Sequence, residues 1–101
     1  MIVIRATVPI DPEKRDEAER LIENLVEQSQ QEAGVFTYQA AADVEDPNVF
    51  RFFEHYEDED AFDAHAASQH FLEFQRALPE LLDGEPDSKK FEVQSMSTVE
   101  L

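Results

Sequence analysis

Three histidines fall within one 16-residue window, His55, His65 and His70, with the carboxylates of Glu54, Glu57, Asp58 and Asp60 close by in sequence. Imidazole titrates nearer neutral pH than any other side chain and is also the commonest metal ligand, so the window admits proton transfer or metal binding. The spacing argues against metal. On one continuous helix, residues five apart point about 140° from each other, so His65 and His70 share no ligand face unless the helix breaks near Ser68. Acidic neighbours carry little information on a chain with 24 of them, and no metal site is expected.

Proton transfer fits better. Phe62, His65, Ala66 and Gln69 occupy one helical stripe that should face a sheet, which makes His65 the first candidate for a catalytic base. The competing reading is a half-buried histidine hydrogen-bonded to a neighbouring carboxylate such as Glu54. His70 opens the next helix, where orienting Tyr56 or closing a pocket is the expected role. Tyr56 and Glu54 share a strand face with Phe50 and Phe52, so they are candidates for a pocket-lining hydroxyl and carboxylate, with a core tyrosine as the alternative. Arg5 and Thr7 point together from the first strand, beside Arg51, and Arg5 is a candidate to hold an anionic substrate, against simple pairing with an acid. His55 has the opposite strand parity from Tyr56 and is assigned to a subunit interface.

Other chemistries are excluded by what the chain lacks. It has no cysteine, hence no disulfide, thiolate metal site or thiol nucleophile. No Gly-x-Ser-x-Gly elbow occurs, and Ser68 sits where a helix cap is expected. Gly34 and Gly84 are the only glycines, too few for a phosphate-cradling loop, so no nucleotide cofactor is expected.

The elements that must carry these groups are legible from their periods. Ile2 to Pro9 alternates as a strand. Asp11 and Pro12 start a helix, on which Ala18, Leu21, Ile22, Leu25 and Val26 form one apolar stripe and which Gly34 ends. Val35 to Asp43 and Asn48 to Glu57 read as an antiparallel hairpin about Pro47. A helical stretch follows from Glu59 to Ala67. Ser68 then caps a second piece carrying Phe71, Phe74, Leu78, Leu81 and Leu82, broken by Pro79 after Ala77. Phe91 to Val99 reads as the last strand. The order β-α-β-β-α-β is the split arrangement of an α+β, ferredoxin-like fold: one domain over residues 1–101, a four-stranded antiparallel sheet and helices on one face.

That arrangement leaves a sheet face bare, yet strands one and three are apolar at both parities, as in Ile2-Val3-Ile4 and Val49-Phe50-Arg51-Phe52-Phe53. A second copy of the chain is the simplest cover, so a face-to-face homodimer is expected. The formal net charge of −16 over 101 residues argues against a nucleic-acid partner, which would require basic patches, and against an anionic membrane surface. Its scatter resembles the surface of proteins from extreme halophiles, where salt screens crowded carboxylates. The N-terminus lacks a basic start followed by an apolar stretch, and a cytoplasmic location is expected.

The window from Glu54 to Phe71 resembles the signature of the antibiotic biosynthesis monooxygenase family, in particular its small quinol-monooxygenase-like and autoinducer-processing members. Glu54, Tyr56, His65, Ser68, His70 and Phe71 match, and the Glu32-Ala33-Gly34 helix ending and the element order are also similar. The resemblance implies a dimeric α+β barrel with a pocket between helices and sheet in each subunit. It also implies oxygenation of a small phenolic or quinol substrate by O₂, without metal, flavin or haem. His65 and Tyr56 would then be catalytic, with Thr7, Arg5, Glu54, His70 and Phe62 contacting substrate. An isomerase acting on a small metabolite and a non-catalytic binding module are the alternatives on the same fold. The haem-degrading branch uses Asn, Trp and His where this chain has Thr7, His65 and Gln75, so haem degradation is not implied.

Overall fold

The computed structural model describes residues 1–101. Four strands, β1 (Ile2–Pro9), β2 (Val35–Ala42), β3 (Val49–Tyr56) and β4 (Asp87–Glu92), form one antiparallel sheet in the order β2-β3-β1-β4. The helices are α1 (Arg15–Ser29), α2 (Glu59–Ala66) and α3 (Gln69–Ala77), with short 3₁₀ turns at Pro12–Lys14 and Leu78–Glu80. This is the ferredoxin-like α+β fold expected from the sequence, with the second helical element in two pieces.

The register divides the side chains into two sets. Ile4 lies opposite Glu54, Ile2 opposite Tyr56 and Val8 opposite Phe50, while Tyr38 of β2 flanks Glu54 from the other side. These residues are buried under Ala18, Ile22 and Leu25 of α1 and Phe74 of α3. The opposite parity carries Arg5 against Phe53 and Thr7 against Arg51. There Phe36, Phe53 and Phe91 are exposed.

Local chemistry sets the boundaries. Asp11 accepts from Glu13 N at 3.0 Å, and Pro12 opens the 3₁₀ turn that leads into α1. Asp58 accepts from Ala61 N at 2.9 Å and starts α2. Pro79, within the second 3₁₀ turn, ends α3 as expected.

Two boundaries differ from the sequence reading. α1 ends at Ser29 rather than running to Gly34, whose φ of +81° serves the turn into β2. The last strand is Asp87–Glu92, not Phe91 to Val99. It is an exposed edge strand whose pairing with β1 fixes its register, and its Asp-Ser-Lys-Lys start has no apolar alternation to betray it. No helix is long and apolar enough to cross a membrane.

Candidate functional site

A cavity of about 330 Å³ lies between the inner sheet face and the α2–α3 pair. Its wall is largely apolar, with Phe52, Phe62, Phe71 and Phe74 around it. Tyr38, Glu54 and His65 interrupt that wall with buried polar groups, and Gln75 with an exposed one. The β4 side of the lining includes Pro86, Ser88 and Lys90. Lys90 pairs with Glu59 and sits over the Phe62 ring, 4.9 Å from its centroid.

His65 owes its position to a break in the chain. α2 stops at Ala66, and the Ser68 hydroxyl donates to the His65 carbonyl at 2.6 Å while accepting from Phe71 N at 3.3 Å, so it caps α3. The break turns α3 so that His70 approaches the same carboxylate as His65. His65 Nδ1 lies 2.8 Å and His70 Nε2 2.7 Å from Glu32 Oε2.

Glu32 itself is held close by Gly34. The Gly34 carbonyl accepts from Glu57 N at 2.7 Å, and a Cβ at Gly34 would meet Ala61 Cβ at 2.7 Å. Only glycine allows both the positive φ and this close approach of the Glu32 loop to α2.

His65 is 2% exposed. A carboxylate oxygen accepts, so the hydrogen bond to Glu32 places the proton on Nδ1 and leaves the lone pair on Nε2. That Nε2 is buried and has no hydrogen-bond partner in the protein. Burial holds the imidazole below its ordinary value; the Glu32 hydrogen bond opposes this shift and the nearby His70 reinforces it.

Glu54 is displaced the other way. Burial pushes its carboxyl up to about 7, although the hydroxyls of Tyr56 and Tyr38 favour the ionised form. Tyr56 donates to Glu54 Oε1 at 2.6 Å. Both tyrosines are pushed well above the ordinary phenol range, first by burial and then by the charge of Glu54, so both hydroxyls stay protonated. The cavity wall thus holds an imidazole whose proton affinity burial lowers and a carboxyl whose proton affinity burial raises.

Glu32, His65 and His70 also form a set of potential cation ligands, their nearest ligand atoms all within 4.8 Å of one another. Two ligands of one zinc-like ion at tetrahedral geometry stand about 3.4 Å apart. Separations of 2.8 and 2.7 Å are instead those of two N–H donors on one carboxylate oxygen. The arrangement can hold and move protons.

The sequence pattern of the antibiotic biosynthesis monooxygenase family matches residues 1–77. The chain belongs to that family. YcnE of Bacillus subtilis (strain 168), a monooxygenase by a name given only provisionally, is 33% identical over 93 residues, covering 92% of this chain and 98% of YcnE. The crystal structure of a conserved protein from Methanosarcina mazei Go1 superposes with a TM-score of 0.86 at 30% identity, covering 92% of each chain. A Deinococcus radiodurans structure reaches a TM-score of 0.91 over 99% of both chains at 20% identity, a likeness of fold.

In this antibiotic biosynthesis monooxygenase fold the expected site residues part company. His65, Glu54 and Phe62 line the cavity. Tyr56 does not: it is 0% exposed, packs against His65 with ring centroids 5.6 Å apart and directs its hydroxyl to Glu54. His70 is also outside the wall, and its partner is Glu32 rather than Tyr56. The carboxylate on His65 is likewise Glu32 rather than Glu54.

Arg5 and Thr7 lie on the far side of the sheet from the cavity, where Thr7 Oγ1 accepts from Arg51 at 3.1 Å. The strand parity that puts Ile4 inside puts them outside, so neither contacts a ligand in this cavity. Gln69 leaves the expected stripe because the helix breaks before it, and its exposed amide donates to Glu73. The sequence reading missed Glu32 and Tyr38. Tyr38 had a signal in its β2 parity, whereas Glu32 is one acid among 24.

Proposed function

We propose that this family member is a cofactor-independent oxygenase of a small phenolic or quinol substrate. The observation that carries the proposal is His65 Nε2, unpartnered and buried in the wall of an apolar cavity, with Nδ1 fixed by Glu32. A hydroquinone in that cavity gives its O–H proton to Nε2, and the resulting anion is electron-rich enough to reduce O₂ directly. For a hydroquinone, one oxygen atom enters the ring, the other leaves as water, and the product is a hydroxyquinone; all four electrons come from the substrate. The aromatic wall suits a flat ring, and Glu54 and Tyr38 offer hydrogen bonds that orient its oxygens.

The test is oxygen uptake with a panel of hydroquinones and electron-rich phenols, with product mass measured alongside. Uptake and a product with one oxygen more and two hydrogens fewer than the hydroquinone, both lost in His65→Ala with the fold retained, support the oxygenase. No uptake with any member of the panel counts against it. A second reading is favoured by Glu54, whose carboxyl near 7 can give and take protons across the cavity from His65. Isomerisation of a small carbonyl metabolite would then yield a product of unchanged mass.

The same proposal includes a homodimer through the outer sheet face. The accessible surface is 6,815 Å², against about 5,800 Å² for a compact globule of 11.6 kDa. The exposed Phe36, Phe53 and Phe91 on that face support a second copy as its cover.

A further inference from the structure

The cavity has a buried end and an open side. Glu54 and His65 are buried, whereas Gln75 of α3 and Pro86, Ser88 and Lys90 on the β4 side are exposed, so a ligand enters between α3 and β4. Lys90 is the only Lys or Arg in the lining. A free cation at such an opening would select an anionic ligand. This one is already engaged.

Glu59, in the first turn of α2, pairs with the Lys90 ammonium across the gap to β4, and the same ammonium sits over the Phe62 ring. Asp63 stands one helical turn beyond Glu59. Glu92 shares the inner parity of β4 with Lys90, opposite Ile2 as Lys90 is opposite Ile4. The charges of Asp63 and Glu92 also act on that ammonium, so one positive charge meets three negative ones at the rim. An anion bound beside Lys90 must displace Glu59 and still faces the other two. Deeper in, the Phe52 and Phe74 rings offer no countercharge, and Glu54 adds a negative charge of its own once ionised.

We infer that Lys90, held by Glu59, sets the cavity rim against anions, so that the cavity takes rings bearing phenolic hydroxyls but no carboxylate, sulfonate or phosphate group. The inference rests on the oxygenase reading of the cavity and narrows its substrate to uncharged compounds. That class suits the proposed chemistry. A neutral ring gives its proton to His65, the O–H bond breaking as the imidazole N–H bond forms, and the resulting phenolate lies beside an imidazolium with no net charge added. A ring that arrives as an anion brings a charge that nothing buried in the wall balances. Glu59, Asp63 and Glu92 act through Lys90 and the local field, and are specificity-determining rather than catalytic residues.

The test compares hydroquinone carboxamide with hydroquinone carboxylate, two rings of nearly the same shape that differ by one charge. Their dissociation constants for the full chain are measured by calorimetry at about pH 8 in low salt, without oxygen so that binding is read apart from turnover. The amide is expected to bind about tenfold more tightly than the acid, and about 1 M salt should reduce that ratio to about twofold. Glu59→Gln removes one negative charge and releases Lys90. At low salt it should bring the ratio to about threefold or less, through tighter binding of the acid with the amide unchanged. Should that variant fail to fold, Asp63→Asn is read in the same way. Equal or tighter binding of the acid by the wild type, a ratio that Glu59→Gln leaves unchanged, or no binding of either ring overturns the inference. Binding at the expected ratio with no oxygen uptake across the hydroquinone panel would sink the oxygenase alone and leave the charge selection standing.

Discussion

The two faces of the sheet each bury a histidine from the same pair of secondary-structure neighbours, and they use it differently. On the inner side His65 has one nitrogen fixed by a carboxylate and the other buried without a hydrogen-bond partner. On the outer side His55 is 6% exposed, packs edge-on against Phe36 with centroids 5.0 Å apart, and directs Nε2 at the Met1 thioether 3.2 Å away. His65 has a strong acceptor that fixes its tautomer and a dry wall that lowers its proton affinity. His55 has a weak sulfur partner and no carboxylate among its hydrogen-bond partners. Burial alone does not set a histidine's role; the proposal for His65 rests on its orienting carboxylate and its unpartnered second nitrogen.

The sharpest way to break this contrast is to delete each ring. His65→Ala is expected to lower turnover by about 10²- to 10⁴-fold, and His55→Ala to leave it within about twofold, both read by oxygen uptake with the substrate found in the panel. Equal losses would show that the two histidines do not differ in function.

The next largest effect is on stability against pH. Glu54 binds its proton more tightly in the folded chain, with a value near 7 against 4.5 for the free side chain. It therefore favours folding below about pH 4.5, and that advantage disappears as pH rises through 7. Relative to Glu54→Gln, the wild type should lose about 2 to 3 kcal/mol between pH 5 and pH 8, measured by urea unfolding at both values. His65, whose affinity is lowered, contributes in the opposite sense: its share is present above about 6.5 and fades as pH falls. A wild-type curve parallel to that of Glu54→Gln would mean that Glu54 is not desolvated in solution.

Gly34→Ala probes what supports the inner face. The positive φ and the 2.7 Å approach of an added Cβ to Ala61 should cost about 2 kcal/mol or more, visible as a lower urea midpoint. For the outer face, Phe53→Glu should weaken self-association about tenfold or more by sedimentation. The proposed dimer should itself loosen as salt is lowered, because each copy carries a formal −16. The smallest effect is expected from Arg5→Ala, with KM within about twofold, since Arg5 lies across the sheet from the cavity.

The sequence read well wherever one face of an element is buried. Strand parity alone predicted that Glu54 and Tyr56 travel with Phe50 and Phe52, and the same parity already separated Arg5 and Thr7 from Ile4 and Val8. Assigning Arg5 and Thr7 to substrate required ignoring it. β4 was placed four residues too late because an edge strand with every residue exposed has no hydrophobic period to find. Glu32 was illegible for a different reason. Its role comes from a loop folded back on α2 through Gly34, a tertiary contact, and in a chain this acidic no carboxylate stands out by type.

Ser68 has a consequence for recognising this arrangement elsewhere. The two histidines stand five positions apart, a spacing that an unbroken helix would splay, and only the capped interruption between them brings both rings to one acceptor. A related chain could keep both histidines and still lose the pair if α2 ran on through position 68. The interrupting hydroxyl is thus a better marker of the assembled pair than the histidines are, and its deletion by Ser68→Ala would undo the pairing from a position outside the cavity wall.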